Sequence, residues 1–230
     1  MNWYKELLEE IRIGKIEHLE EKKKVAEKIA DKVQDNQIIG FGSGSTSYLA
    51  TIAIADKIKK ENLHIIAIPT SFEIKMLCAY LEIPTASLSE KHPDWSFDGA
   101  DEVDKNNWLI KGKGGAMFKE KLNIANSPIT YILIDSSKRV NNLGEKTKVP
   151  VEIYPDAINY VKDELIKLEA EEIVLRQAIN KAGPIITENG NLILDVKFNT
   201  ITKELEKNIK AIPGVIENGL FIGYNVEIIE

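Results

Sequence analysis

The feature that most constrains this chain is a repeated alternation of short apolar strands and helices. In the first 148 residues, several strands end in loops that combine glycine with polar or charged residues. Short buried strands separated by helices are typical of βα units in a mostly parallel sheet. We therefore predict an α/β fold with a Rossmann-like, mostly parallel sheet flanked by helices. The predicted strands are 38–41, 63–69, 95–97, 108–110 and 129–134, and the predicted helices are 4–34, with Gly14 as a candidate break, 46–60 and 70–81.

A different pattern begins near Pro150. The order of elements becomes strand, helix, strand, strand, helix, strand, which is typical of a ferredoxin-like α+β unit. Two of its strands form a hairpin at 184–198, with a turn at Asn189-Gly190 because glycine tolerates the positive φ that such turns need. We predict two domains: a Rossmann-like domain of residues 1–148 plus 219–230, and a smaller ferredoxin-like domain of residues 149–218 inserted near the C-terminus.

The composition narrows the class of protein. The 230 residues include 30 basic and 36 acidic side chains, for a net charge of -6. This balance argues against nucleic acid as a partner, because nucleic-acid binders present basic surfaces. The single cysteine, Cys78, excludes an internal disulfide and favours a reducing compartment. The charged, amphipathic N-terminal segment lacks an apolar leader, and the longest uncharged stretch is rich in glycine and serine, so we expect a cytoplasmic protein without membrane contact.

Three loops that follow predicted strands are candidates for a binding site. Open α/β sheets bind ligands outside the carboxyl ends of their strands, so such loops are expected to converge. The loops are GFGSGSTS at 40–47, DGADEVD at 98–104 and KGKGG at 111–115.

The first loop has the residues of a phosphate site. Ser45 and Thr46 carry hydroxyls where a helix begins, and a helix N-terminus offers N–H groups and partial positive charge to an anion. The loop matches neither the P-loop nor the dinucleotide-binding pattern. An ordinary strand–helix turn with a capping hydroxyl is the alternative interpretation.

The other two loops carry charged groups suited to acid–base chemistry. Four acids in seven residues after a strand fit a metal site, a catalytic cluster or a solvated turn, although the spacing is not that of a calcium loop. Asp98 and Asp101 are the candidates in this cluster. Lys111, beside the glycines, can stabilise an oxyanion or a phosphate. Glu120 is a candidate general base, with an exposed helix glutamate as the alternative, and Lys138 is a candidate further cation.

Two other kinds of site are not supported by the sequence. The three histidines, His18, His64 and His92, have no ligand spacing, which argues against zinc. No serine, histidine and acid occur in a triad-like arrangement, and Cys78 lies in a predicted helix, so nucleophilic catalysis is not expected.

Taken together, the motifs resemble the type A family of ribose-5-phosphate isomerases. The resemblance runs from about residue 22 to the end of the chain. It is carried by GSGSTS, DGADEVD, KGKGGAMFKEK and DSSK, followed by RQA at 176–178, NGNLILDV at 189–196 and AIPGVIENGLF at 211–221.

The resemblance implies reversible conversion of D-ribose 5-phosphate to D-ribulose 5-phosphate in the pentose phosphate pathway, without metal or other cofactor, by a dimer or tetramer. It places the proton acceptor at Glu120 and, near its N-terminal edge, a phosphate contact at Lys24. Ser43 and Lys113 depart from the threonine and glycine that are usual in the family. The implied substrate-binding residues are Ser43, Gly44, Ser45, Thr46, Asp98, Gly99, Ala100, Asp101, Lys111, Gly112, Lys113, Gly114 and Lys138.

The chemistry of an aldose–ketose isomerisation fits these residue types. One carboxylate, Glu120, would carry a proton between C2 and C1 through a cis-enediol or enediolate. Lys111 and backbone N–H groups would neutralise the charge on oxygen. Asp98 would exchange protons between O1 and O2, and Asp101 would orient the hydroxyls or Lys111. Phosphate binding by the first loop and Lys138 would align the reacting carbons.

Two other functions fit a similar fold. A sugar-phosphate sensor domain of a transcription regulator binds such ligands without turnover, but the N-terminal ~35 residues are short and acidic for a DNA-binding module. An acyl-transfer or lactone-hydrolysing enzyme of this architecture uses a glutamate or a histidine in other loops, and the three loops here contain no histidine.

Overall fold

The computed structural model describes residues 16–230, so the start of the predicted N-terminal helix and its break at Gly14 lie outside the described residues. The helices are α1 (Leu19–Asp31), α2 (Ser45–Glu61), α3 (Phe72–Tyr80), α4 (Met117–Asn126), α5 (Ile158–Lys167) and α6 (Leu205–Lys210). The strands are β1 (Ile38–Phe41), β2 (Ile66–Pro69), β3 (Trp95–Gly99), β4 (Glu102–Val103), β5 (Leu109–Ile110), β6 (Thr130–Leu133), β7 (Val149–Ile153), β8 (Ala170–Leu175), β9 (Leu192–Phe198), β10 (Val215–Asn218), β11 (Leu220–Phe221) and β12 (Val226–Ile229).

Five strands form a wholly parallel sheet in the order β12–β6–β3–β1–β2. Phe41 lies opposite Pro69 on one side and Phe97 on the other, so β1, β2 and β3 end at nearly the same level. The loops that follow these strands therefore leave from one edge of the sheet. The predicted parallel sheet is confirmed, and the helices start and end within two residues of the predicted bounds at 46–60 and 70–81.

The core of this sheet is apolar and tightly packed. The rings of Phe41 and Phe97, on neighbouring strands, have centroids 4.8 Å apart. Helix α1 buries Val25 and Ile29 at helical spacing against this core, and α3 buries Cys78. Burial raises the pKa of the Cys78 thiol to about 12, so this cysteine stays protonated and is a core residue.

Four further strands form an antiparallel sheet in the order β10–β7–β9–β8. With α5 between β7 and β8 and α6 between β9 and β10, this is the predicted ferredoxin-like unit. Its helices bury Val161, Leu165 and Ile209. The predicted turn is present at Gly190, whose φ is 80°. The residues before that turn, however, form no strand: they make an isolated bridge between Gln177 and Pro184 and hydrogen bonds such as that from the N–H of Thr187 to the carbonyl of Asn191. Of the predicted hairpin, only the second half is a strand, β9.

A small three-stranded antiparallel sheet, β11–β5–β4, was not predicted. The segment at 108–110 belongs to it, and β12 supplies a strand of the parallel sheet that was not predicted either. Strands of two residues are too short to show a periodic pattern. The last strand of the ferredoxin-like unit, β10, is separated from β11 by Gly219, where a Cβ atom would lie 2.2 Å from the carbonyl oxygen of Lys111.

The described residues form two compact units. The first contains the chain up to Gly99 together with Leu122–Ser137 and Asn225–Glu230, and the second contains Ala100–Lys121 and Lys138–Tyr224. The parallel sheet lies in the first unit and the two antiparallel sheets lie in the second. The domain bounds drawn from the sequence, 1–148 plus 219–230 and 149–218, stay a prediction. Within residues 16–230, no helix combines the length and apolar character needed to cross a membrane.

Candidate active site

In the first unit, Asp98 near the end of β3 organises the loop that follows β1. Its Oδ1 atom accepts hydrogen bonds from the backbone N–H groups of Ser43, at 3.1 Å, and of Gly99, at 2.7 Å. A Cβ atom on Gly42 would lie 2.3 Å from the Asp98 carboxyl group, so only glycine permits this close approach. The loop and the carboxylate therefore fix each other, and Asp98 is buried.

The same loop leads into the N-terminus of α2. Gly44 has a φ of 93° and precedes Ser45 and Thr46 in the first turn of this 17-residue helix. The hydroxyl of Ser43 is hydrogen-bonded to that of Thr70, 2.7 Å away, after β2. Two strand ends thus support a helix N-terminus, which carries partial positive charge and suits a phosphate group.

Lys22 is a residue of this region that the sequence analysis missed. Its ammonium group donates to the Oγ atom of Ser45 at 3.2 Å and lies 3.7 Å from Oδ2 of Asp135. Lys24, which the resemblance implied as a phosphate contact, is exposed. Lys22 lies three residues before Val25 and seven before Ile29, which places it on the buried face of α1. This spacing was the signal available in the sequence.

One group of side chains in the first unit has the proximity that a metal site requires. Ligand atoms of His18, Glu21 and Asp135 lie within 4.8 Å of one another. Ser136 donates to Glu21 through its N–H and its hydroxyl, at 3.3 and 3.1 Å, and these hydrogen bonds lower the pKa of Glu21. Lys22 also lies beside Asp135. The carboxylates of Glu21 and Asp135 therefore already interact with donor groups of other residues in this chain.

In the second unit, Lys111 and Glu120 form a buried ion pair. Lys111 directly follows β5, and Glu120 lies in the first turn of α4. The Lys111 Nζ atom is 3.3 Å from Oε2 of Glu120, and the two side chains are 4% and 6% exposed. The ammonium group also lies 5.7 Å from the centre of the Phe221 ring. Glu120 is therefore not the exposed helix glutamate of the alternative interpretation, and its carboxylate has a cation beside it in a region shielded from water.

The glycine loop after Lys111 is held by its backbone. The N–H of Lys113 donates to Oδ2 of Asp101 at 3.0 Å, and the N–H of Gly115 donates to the carbonyl of Gly112 at 2.9 Å. Gly112 has a φ of 97°, and a Cβ atom there would lie 2.9 Å from Met117. Lys113, by contrast, is exposed, so the loop accommodates a side chain where the resemblance implied a glycine.

The remaining acids of the DGADEVD segment have structural partners. Glu102 is fully buried and accepts hydrogen bonds from the backbone N–H groups of Gly144, Lys146 and Thr147. Asp104 is also buried and accepts from Trp108 at 2.9 Å. Burial therefore does not distinguish the two candidates of this cluster from the other acids, because Asp98 is buried like Glu102 and Asp104 while Asp101 is partly exposed.

Two predicted site residues make no hydrogen bond or ion pair with the others among residues 16–230. Lys138 ends a short 3-10 helix, Ser136–Lys138, and is partly exposed. In the part of the chain that the structure describes, it makes no hydrogen bond or ion pair with another predicted site residue. Ala100 is the first residue of the second unit and is also partly exposed.

The chain matches known proteins along most of its length. Residues 66–229 match the family described as ribose 5-phosphate isomerase A (phosphoriboisomerase A). Ribose-5-phosphate isomerase A of Methanocaldococcus jannaschii is 45% identical over 202 residues, which cover 87% of this chain and 89% of that protein. The ribose-5-phosphate isomerase of Homo sapiens is 41% identical over 88% of this chain and 68% of its own length.

Solved structures give the same result. The structure of ribose 5-phosphate isomerase A from Methanocaldococcus jannaschii superposes with a TM-score of 0.89 at 42% identity, over 93% of this chain and 96% of that one. A D-ribose-5-phosphate isomerase in complex with phospho-erythronic acid superposes with a TM-score of 0.88 at 37% identity, over 93% and 95%. The chain belongs to the ribose 5-phosphate isomerase A family.

Proposed function

We propose that this chain interconverts D-ribose 5-phosphate and D-ribulose 5-phosphate through a cis-enediolate, as an enzyme of the pentose phosphate pathway. The observation that carries the proposal is the buried ion pair of Lys111 and Glu120 at the start of a glycine loop. The matching relatives are named for this activity, and one of them binds phospho-erythronic acid. We expect the ligand of this chain to be a small phosphorylated sugar.

Glu120 is suited to move the proton between carbons. In the open-chain aldose, its carboxylate takes the proton from C2, and the electron pair of that C–H bond forms the C1–C2 double bond. The electrons of the C1 carbonyl then move onto O1, giving the enediolate. In the second half, the proton on O2 moves to O1, the C2 carbonyl forms, and Glu120 returns its proton to C1. One carboxylate therefore serves both transfers.

Lys111 supports this chemistry electrostatically. Negative charge leaves the carboxylate as it is protonated and develops on O1. An ammonium group 3.3 Å from the carboxylate is able to stabilise charge on the nearby oxygen as well. In a site shielded from water such a fixed cation stabilises an enediolate more strongly than in bulk solvent.

The remaining predicted residues receive supporting roles in the same proposal. Asp98, whose orientation is fixed by two N–H groups, would exchange the proton between O1 and O2 and assist ring opening. Asp101, held by the N–H of Lys113, would orient sugar hydroxyls. A homo-oligomeric state, dimer or tetramer, and a cytoplasmic location also stay predictions.

Phosphate binding is assigned to the N-terminus of α2. Ser45 and Thr46 supply hydroxyls and N–H groups there, Lys22 adds a positive charge next to Ser45, and Lys138 is retained as a second cation. Binding energy at the phosphate does not change during the reaction, so it serves to align C1 and C2 with the acid–base groups.

Lys22→Met is expected to raise KM for ribose 5-phosphate by about 10- to 100-fold, because it removes a charged donor to the phosphate. We expect kcat to change much less, since the phosphate is remote from the reacting carbons. Steady-state kinetics of Lys22→Met and of Lys24→Met provide the comparison. An equal rise in KM for both variants, or none for Lys22→Met, would contradict the assignment.

The activity itself is tested by following ketopentose phosphate formation from ribose 5-phosphate spectroscopically. We expect turnover by the protein without added metal, and the same rate in the presence of EDTA, because the ammonium group of Lys111 already supplies a cation beside the carboxylate of Glu120. Calorimetry on the same sample separates the alternatives. Binding of ribose 5-phosphate without turnover would favour a sensor domain, and a rate restored only by added metal would contradict this mechanism.

A further inference from the structure

Arg176 is held rigidly beside the glycine loop of the second unit. It directly follows β8, and its backbone N–H donates to the carbonyl of Ile193 at 2.9 Å. Its guanidinium group forms a bidentate pair with Asp195 on β9, through Nε to Oδ2 at 2.8 Å and through Nη2 to Oδ1. The two side chains are 15% and 23% exposed. Bidentate pairing fixes the plane of the guanidinium group, and not only the position of its charge.

The remaining Nη1 group of Arg176 donates to two consecutive carbonyls of the glycine loop. It is 3.2 Å from the oxygen of Gly112 and 2.9 Å from the oxygen of Lys113. No other side chain among residues 16–230 donates to these two carbonyls. The loop that carries Lys111 is therefore joined to the sheet of β8 and β9 through one side chain.

These two contacts determine where the N–H groups of the loop point. In a planar trans peptide, the carbonyl and the N–H of the next residue point in opposite directions. Holding the carbonyls of Gly112 and Lys113 therefore directs the N–H groups of Lys113 and Gly114 away from Arg176. The N–H of Lys113 accordingly donates to Asp101 at 3.0 Å. The N–H of Gly114 has no hydrogen-bond acceptor within the described part of the chain.

We propose that Arg176, locked by Asp195, is a positioning residue for the isomerisation. It orients the Gly114 N–H as a donor to the sugar oxygen on which charge develops, and it orients the Lys113 N–H that holds Asp101. Arg176 itself does not contact the substrate. This inference rests on the proposed isomerase function, and it adds a residue from the ferredoxin-like part of the chain to the machinery of that reaction.

The test is the kinetics of Arg176→Lys and Arg176→Ala with ribose 5-phosphate. A lysine has one point charge and cannot serve Asp195 and both carbonyls with a planar fork. We expect kcat to fall by about 10- to 100-fold in both variants, because a misplaced donor to a developing oxyanion costs that much. KM is expected to stay within about twofold, since no phosphate contact is removed.

Two further readouts separate positioning from a merely structural role. Phospho-erythronic acid carries a carboxylate whose two oxygens imitate those of the enediolate, so its affinity is expected to fall in parallel with kcat. Millimolar guanidinium chloride is expected to restore part of the kcat of Arg176→Ala, because the free cation can occupy the vacated site. Neither result follows from a general loss of stability.

A matched control is Lys197→Ala. Lys197 and Glu171 form another ion pair between β9 and β8, at 3.3 Å, and neither contacts the glycine loop. We expect this variant to keep the kcat of the unaltered protein. If Arg176→Ala does not give a cooperative thermal transition, the kcat values of Arg176→Lys and Asp195→Asn are used instead to test whether Arg176 is a positioning residue.

The outcomes distinguish this inference from the function on which it rests. A folded Arg176→Lys variant with unchanged kcat and unchanged affinity for phospho-erythronic acid overturns the positioning role and leaves the isomerase function intact. Absence of turnover in the unaltered protein overturns the proposed function, and the positioning role with it.

Discussion

Glu120→Gln is expected to lower kcat for isomerisation by about 10³-fold or more, while ribose 5-phosphate still binds. The amide keeps the size of the side chain but cannot accept the proton from C2, and proton transfer by a positioned carboxylate contributes about 10²- to 10⁴-fold to such reactions. The phosphate contacts assigned to Ser45 and Lys22 are unchanged by the substitution. We therefore expect the dissociation constant for the substrate, measured by calorimetry, to change only a few-fold.

A matched control for this variant is Glu188→Gln. Glu188 forms an ion pair at 2.9 Å with Lys119, the residue before Glu120 on α4, so its loss perturbs the same helix turn without touching the proposed base. Exchange of the C2 proton with heavy water provides a direct readout of the step assigned to Glu120. If Glu120→Gln kept more than a tenth of kcat, or still exchanged that proton at the original rate, Glu120 would lose its role.

Four strands of the parallel sheet, and the order of elements in the ferredoxin-like unit, could be predicted because their signals are local. A buried parallel strand such as 38–41 is a continuous apolar run between a polar turn and a glycine loop. The ferredoxin-like unit follows from the order of its elements and from the glycine at 190. The sheet of β11, β5 and β4 could not be predicted, since strands of two residues show no periodicity. Their pairing is set by backbone contacts around Gly219.

In the candidate site, too, features set by neighbouring residues could be predicted, whereas contacts between residues distant in the sequence could not. The sequence shows that Glu120 follows a glycine loop, but its burial beside Lys111 depends on tertiary packing. The partners of Glu102 are N–H groups some forty residues further along the chain, so its structural role could not be separated from that of Asp98. The role of Lys22 was predictable in principle, because a charged residue on the apolar face of a helix needs a polar or charged partner.

Lys111→Met is expected to reduce both activity and stability. The methionine side chain has similar length and stays compatible with the neighbouring Phe221 ring, but it removes the cation beside Glu120. Loss of a fixed charge that stabilises an oxyanion costs about 10²- to 10³-fold in kcat. Leaving one carboxylate buried without its partner costs about 3 kcal/mol or more in the free energy of unfolding. Urea unfolding and steady-state kinetics on the same preparation measure the two effects.

The double variant Lys111→Met/Glu120→Gln separates these two effects. Once the carboxylate is replaced by a neutral amide, the uncompensated charge is gone, so we expect the double variant to recover much of the stability that Lys111→Met loses. Activity is not expected to recover, because both the base and the cation are absent. Free energies of unfolding that simply add, with no coupling between the two sites, would contradict a buried ion pair. Recovered stability without recovered turnover would mean that this pair is maintained for catalysis, since a neutral pair of similar size holds the fold as well.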